Sequence, residues 1–224
     1  MLAHIRLLQL ASQALPIGGY SHSYGLEAAI DARLVRDEES VRRWIADVLA
    51  YSMAAYEMPS LHDMGEAWIA RDRPALERLN AEFLASRESA ELRSATVQMG
   101  FSMRTLLAAL PALPDFLHDT LRSMDEPSLP CVWSGAAGAW AIPVPEAMAA
   151  YLWSWAENQV LVAIKCVPIG QSAAQRVLLK IGEAITELVE RGLSREEHMR
   201  SNFAPGLAIL CSQHETQYSR LFRS

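Results

Sequence analysis

What this 224-residue chain lacks narrows its chemistry first. It has three cysteines, Cys131, Cys166 and Cys211. An odd number at wide spacing makes no disulfide framework, and reduced thiols in a cytoplasmic protein are the simplest reading. No GxxxxGK[ST] loop is present, so nucleotide hydrolysis is not expected. No two of the six histidines lie three or four residues apart, so no single helix offers a two-histidine metal face, and no stably bound metal or cofactor is expected. Basic blocks are absent and the net charge is −6, a poor endowment for gripping phosphates. Long apolar runs are absent too: His4, Arg6 and Gln9 break up the first sixteen residues. Glu157, Asn158, Gln159 and Lys165 interrupt the stretch from Met148 to Val167, so no membrane span is expected. There is almost no period-two strand pattern, no internal repeat and no low-complexity linker.

What is present is helical periodicity. The expected fold is all-α, a single-domain bundle of about ten helices over residues 1–224. Leu2, Ile5 and Leu8 share a face of a first helix, and Pro16, Gly18 and Gly19 then impose a loop. A helix from about Ser40 to Ala55 carries Val41, Trp44, Ile45 and Val48, and Pro59 fits the first turn of the next. Ser172 and Gln175 are spaced as a capping box for the last long helix, with Gly192 as its stop and Ser194 with Glu197 as another cap. The small residues from Ser134 to Ala139 form a face that lets helix backbones approach closely, within the chain or between two copies.

The candidate chemistry is sparse. Cys211 and His214 stand one helical turn apart, a spacing that more often means a buried thiol beside a hydrogen-bonding imidazole than a metal site. Ser21 and Ser23 flank His22, but loop hydroxyls usually cap the following helix. Glu57 and Asp63 resemble the solvated acids of an ordinary helix face. Two features stand out. Glu157, Asn158 and Gln159 lie inside an apolar helix, where polar groups need internal hydrogen bonds or a partner protein. Lys165 closes the same helix, as a dipole partner or as a partner contact.

Three segments together resemble the UreF family of urease accessory proteins: Leu8 to Glu27 (LQLASQALPIGGYSHSYGLE), Lys165 to Ser172 (KCVPIGQS) and His214 to Ser224 (HETQYSRLFRS). Ala174 departs from the pattern where glycine is expected, and residues 71–129 carry no matching motif. The resemblance implies an all-α homodimer without enzymatic activity. It would bind the accessory protein UreD (UreH in some systems) and the GTPase UreG, and act on apo-urease through that complex, which handles the nickel. Contact with nucleic acid or membrane is not implied. It also places partner contacts at Pro16, Gly18, Gly19, Tyr20, Ser21 and Glu27, and at Lys165, Pro168, Gly170 and Gln171. In the tail it places them at His214, Glu215, Tyr218, Arg220, Leu221, Phe222 and Arg223. Tyr218, Leu221 and Phe222 are spaced three and four apart, as anchors on one face of a docking helix that frays when alone. A small helical enzyme or a ligand-binding regulator, with its pocket between helices, is the alternative.

Overall fold

The computed structural model describes residues 1–223, so Ser224 of the tail motif lies outside the described residues. Eleven α-helices account for most of them, and no strand occurs among them. The order is α1 (Leu2–Ala11), a 3-10 turn (Gly19–Ser21), α2 (Leu26–Asp31), α3 (Glu38–Val48), a π-helical segment (Leu49–Glu57) and α4 (Met58–Ala70). There follow α5 (Arg73–Ala85), α6 (Ala90–Ala109), α7 (Asp115–Ser123), α8 (Leu129–Ala139), α9 (Val144–Cys166), α10 (Gln171–Leu193), a second 3-10 turn (Glu197–Met199) and α11 (Pro205–His214). The expected all-α bundle is what forms. No helix among the described residues is long and apolar enough to cross a membrane.

The apolar α9 is the central element, with α1, α2, α3, α4, α8 and α10 packed around it. Its buried residues include Met148, Leu152, Ala156, Val160 and Ala163, which recur at helical spacing along the core-facing side. The small-residue face of α8 is spent inside the chain, packed on α4 and α6. Ser134, Gly135, Ala136 and Ala137 are buried, and a Cβ on Gly135 would sit 2.8 Å from both the Trp68 ring and a Leu117 methyl. Of the stretch from Ser134 to Ala139, only Gly138 and part of Ala139 reach the surface.

Local chemistry moves several expected boundaries. Helix α3 begins at Glu38 because Asp37 and Ser40 cap reciprocally: the Ser40 N–H donates to Asp37 Oδ1 (2.9 Å) and the Asp37 N–H to Ser40 Oγ (3.0 Å). The break expected between Ala55 and Pro59 is absent, and the helix runs on through its π segment into α4. Pro59 has no N–H to offer the Ala55 carbonyl, and the Ser201 N–H donates to it instead (3.3 Å). Helix α10 starts at Gln171 with Gly170 at its cap and no side-chain bond, so the Ser172–Gln175 box is not used. Gly192 lies within the last turn of α10 rather than beyond it, where a Cβ would meet that of Met58 at 2.6 Å. Ser194 closes α10 by donating to the Glu190 carbonyl instead of opening the next turn.

Candidate functional site

The residues that stood out in the sequence converge on one end of α9. The loop before α2 is shaped by three left-handed residues, Gly18 (φ +79°), Tyr24 (φ +52°) and Gly25 (φ +78°). Glycine suits the first and last of these, while Tyr24 holds a conformation that side chains seldom adopt. Gly25 also leaves room for α11, since a Cβ there would lie 2.9 Å from Cys211 Sγ.

Immediately after Gly25, the loop delivers Glu27 to the first turn of α2, where a carboxylate complements the helix dipole. Glu27 is 7% exposed and organises the tail. Its Oε1 accepts from the Leu221 N–H (2.7 Å) and its Oε2 from the Phe222 N–H (3.1 Å). The same Oε2 lies 3.1 Å from Nε2 of His214, the fully buried last residue of α11. Nδ1 of that ring lies 2.7 Å from Glu91 Oε2, and Arg220 donates to Glu91 Oε1 at 2.6 Å. The sequence 27–214–91–220 is thus a continuous hydrogen-bonded relay, with Glu91 in the first turn of α6. Two carboxylate acceptors on one imidazole are both satisfied only if each ring nitrogen carries a proton or one carboxyl does.

The tail differs from the expected docking helix. Residues 215–223 run as turns and extended chain, because their N–H groups at 221 and 222 are taken by Glu27 rather than by preceding carbonyls. Phe222 joins the hydrophobic core, whereas Tyr218 and Leu221 project into solvent, so the three do not share a face. The segment is accordingly packed against its own domain. The Phe222 ring lies beneath Lys165 Nζ, 5.3 Å from its centroid, and the Arg223 N–H donates to the Ser21 carbonyl (2.8 Å). Ser21 Oγ donates in turn to the Gly18 carbonyl (2.7 Å). Loop, Lys165 and tail are thereby one surface.

Of the residues expected to meet partners, Tyr20, Lys165, Tyr218, Arg220, Leu221 and Arg223 are exposed. Pro16 is exposed on the loop, and Gly18, Gly19 and Ser21 are partly so. Pro168, Gly170 and Gln171 form the exposed turn after α9, and Glu215 accepts from the Glu91 N–H (3.3 Å). Glu27, His214 and Phe222 are buried, so they fasten this surface from beneath rather than present themselves on it.

The remaining candidates divide. Asn158 donates to the His22 carbonyl (2.9 Å), tying α9 to the loop. Gln159 is completely enclosed, so no partner protein reaches it, and its amide has no hydrogen-bond partner among the described residues. Burial, and then the Arg223 charge, hold the His22 imidazole down at about 4, which removes it as a base for Ser21 or Ser23. Burial raises the Cys211 thiol to about 12, so its thiolate is not at hand. Among the described residues no group of three or more His, Cys, Asp or Glu side chains is placed to hold a metal. Glu57 and Asp63 are not solvated acids: Glu57 pairs with Arg87 (2.7 Å) and accepts from Tyr151 (3.1 Å), and Asp63 pairs with Arg200. Sequence reasoning missed Glu91, Arg87 and Tyr151 altogether. Glu91 carries only the ordinary signal of a helix start, Ser89 followed by an acid, and nothing nearby in sequence points to His214.

The UreF family profile matches residues 35–182. The urease accessory protein UreF of Azoarcus sp. (strain BH72) is 52% identical, over 100% of this chain and 97% of its own length. That of Dechloromonas aromatica (strain RCB) is 51% identical over 98% and 96%, and that of Cupriavidus metallidurans is 46% identical over 98% and 97%. The profile stops short of the loop and the tail, but these relatives span both, so the chain from end to end belongs to the UreF family of urease accessory proteins.

Proposed function

We propose that this chain is a non-catalytic scaffold of urease maturation, a homodimer in the cytoplasm that binds UreD/UreH and the GTPase UreG. Nickel passes through that assembly to apo-urease, and this chain holds no cofactor of its own. The observation that carries the reading is the fastened tail, which draws the loop from Pro16 to Glu27, Lys165 and residues 214–223 into one surface. That surface presents Tyr20, Tyr218 and Leu221, with Lys165, Arg220 and Arg223 among them. Exposed Tyr and Arg beside apolar anchors are the composition of a binding hot spot. Catalysis has little to work with there: the histidines at 22 and 214 are committed to structure, and the thiol at 211 is held protonated.

The test is size-exclusion chromatography with light scattering, on the chain alone and mixed with UreD and UreG. A dimer that takes up both partners is expected. Elution of all three as separate species at tens of micromolar would overturn the reading.

A further inference from the structure

A second site lies beneath the loop. There the loop closes a cavity of about 50 Å³ against α6, α8 and α9. Its walls are largely aromatic and apolar, with Tyr24, Met99, Trp133, Tyr151 and Trp155 prominent, a composition typical of small-molecule pockets. Two polar groups in this wall are under-used, one on the buried Asn158 and one on the half-buried Tyr24. Asn158 is 4% exposed, and while its Nδ2 donates to the His22 carbonyl, its Oδ1 has no partner. The Tyr24 hydroxyl meets only the Met99 thioether, at 3.6 Å, a weak acceptor. Burial, and then Glu57, push that hydroxyl up from its ordinary range, which keeps it a donor.

Tyr24 is also the strained residue of the loop, at φ +52°. Strain of this kind persists where the surroundings over-determine it, and it gathers at ligand sites. The position it fixes is the wall between this cavity and a neighbouring one of about 40 Å³, which holds the Glu57–Arg87 pair. An unpaired acceptor and a poorly paired donor in one apolar cavity define a complement: a ligand with an N–H to give, a carbonyl to offer and a small apolar body. The space suits a molecule of about four heavy atoms, since one water needs roughly 10–15 Å³ measured in this way.

We propose that this cavity is a binding site for a small primary amide, whose N–H donates to Asn158 Oδ1 while its carbonyl accepts from Tyr24 and its apolar end lies on the Trp155 and Trp133 rings.

Acetamide is the probe, with acetone as its equal in size without a donor. In two-dimensional NMR of the whole chain, acetamide is expected to shift the Trp133 and Trp155 indole N–H signals saturably in the millimolar range, and acetone to bind roughly tenfold more weakly. Tyr24→Phe keeps the ring and removes the hydroxyl, and should weaken acetamide by a similar factor while leaving the rest of the spectrum in place. Asn158→Leu should abolish binding; because it also cuts the bond to the His22 carbonyl, it is read only if its spectrum stays folded, and Tyr24→Phe decides otherwise. A linear response without saturation to about 100 mM, a hundredfold beyond 1 mM, equal binding of acetone, or unchanged affinity in Tyr24→Phe would each overturn the proposal. Such results would make the cavity a holder of water alone.

Discussion

At the scale of single residues, Glu27 is the point on which the surface depends. It is 7% exposed and takes two backbone N–H groups and an imidazole. Charge-assisted bonds of this kind contribute about 1.5–3 kcal/mol each, and a buried group left unpaired costs a comparable amount. Glu27→Gln is therefore expected to destabilise the fold by about 2–4 kcal/mol, seen as a lower urea midpoint at unchanged slope. His214→Ala should be worse, because it leaves the buried Glu27 and the half-buried Glu91 without the group between them. If both variants unfold like the wild type, the relay does not hold the tail. His22 gives a pH dependence of definite sign. Its imidazole sits at about 4 in the fold against about 6.5 when unfolded. As pH falls the unfolded chain binds this proton first, so the stabilisation is complete above about 6.5 and drains away between 6.5 and 4, by up to ~3 kcal/mol. His22→Gln should show a smaller loss of melting temperature than wild type between pH 7 and 4.5; parallel losses would clear His22 of the effect. Lys165→Ala removes the cation over Phe222 at an exposed site, where such a contact is worth about 0.5–1 kcal/mol. Helical content should be unchanged while UreG binding or urease activation falls, and intact activation in cells with a well-folded variant would leave Lys165 a helix-end cation only.

At the scale of elements, the tail is the informative case. From sequence it reads as a helix of spaced anchors, and fraying is expected because ordering each residue costs about 1–2 kcal/mol against ~1.5–3 kcal/mol per buried anchor. The balance shifts because Glu27 supplies what the sequence near 214 does not: a buried acceptor for two successive N–H groups, 194 and 195 residues away along the chain. Deleting residues 214–224 should thus abolish the UreD complex and also lower the melting temperature, by several degrees for the loss of Phe222 and the Glu27 bonds. A truncated chain that melts normally and still pulls down UreD would sink both halves of that expectation. The helices themselves were legible because their apolar residues recur at three and four. The loop was legible from Pro16, Gly18 and Gly19. What was not legible was pairing at a distance, Glu27 with His214 or Glu57 with Arg87, since no local pattern encodes it. Nor did the sequence tell an enclosing role from a surface one for the small residues of α8, which turn out to meet Trp68 and Leu117.

At the scale of the whole molecule, the expected homodimer has little of α8 to draw on, since most of its small residues are buried. The exposed apolar side of α1, with Leu2, Ile5 and Leu8 more than half exposed, is available. Leu8→Glu is expected to shift the mass by light scattering toward the monomer without loss of helix, and an unchanged dimer would place the contact elsewhere. Isothermal titration with GTP should show no heat of saturable binding, in keeping with a chain that has no phosphate loop. The fastening of residue 222 by residue 27 also bears on the order in which the protein is made. A ribosome adding roughly 5–20 residues per second makes Glu27 some 10–40 s before Phe222. Through most of that interval the carboxylate waits in a nascent chain whose α2 has no α11 and no tail to receive. A chain interrupted before residue 222 lacks the N–H and the ring with which this surface is closed, so the last residues made are the ones that fasten some of the first.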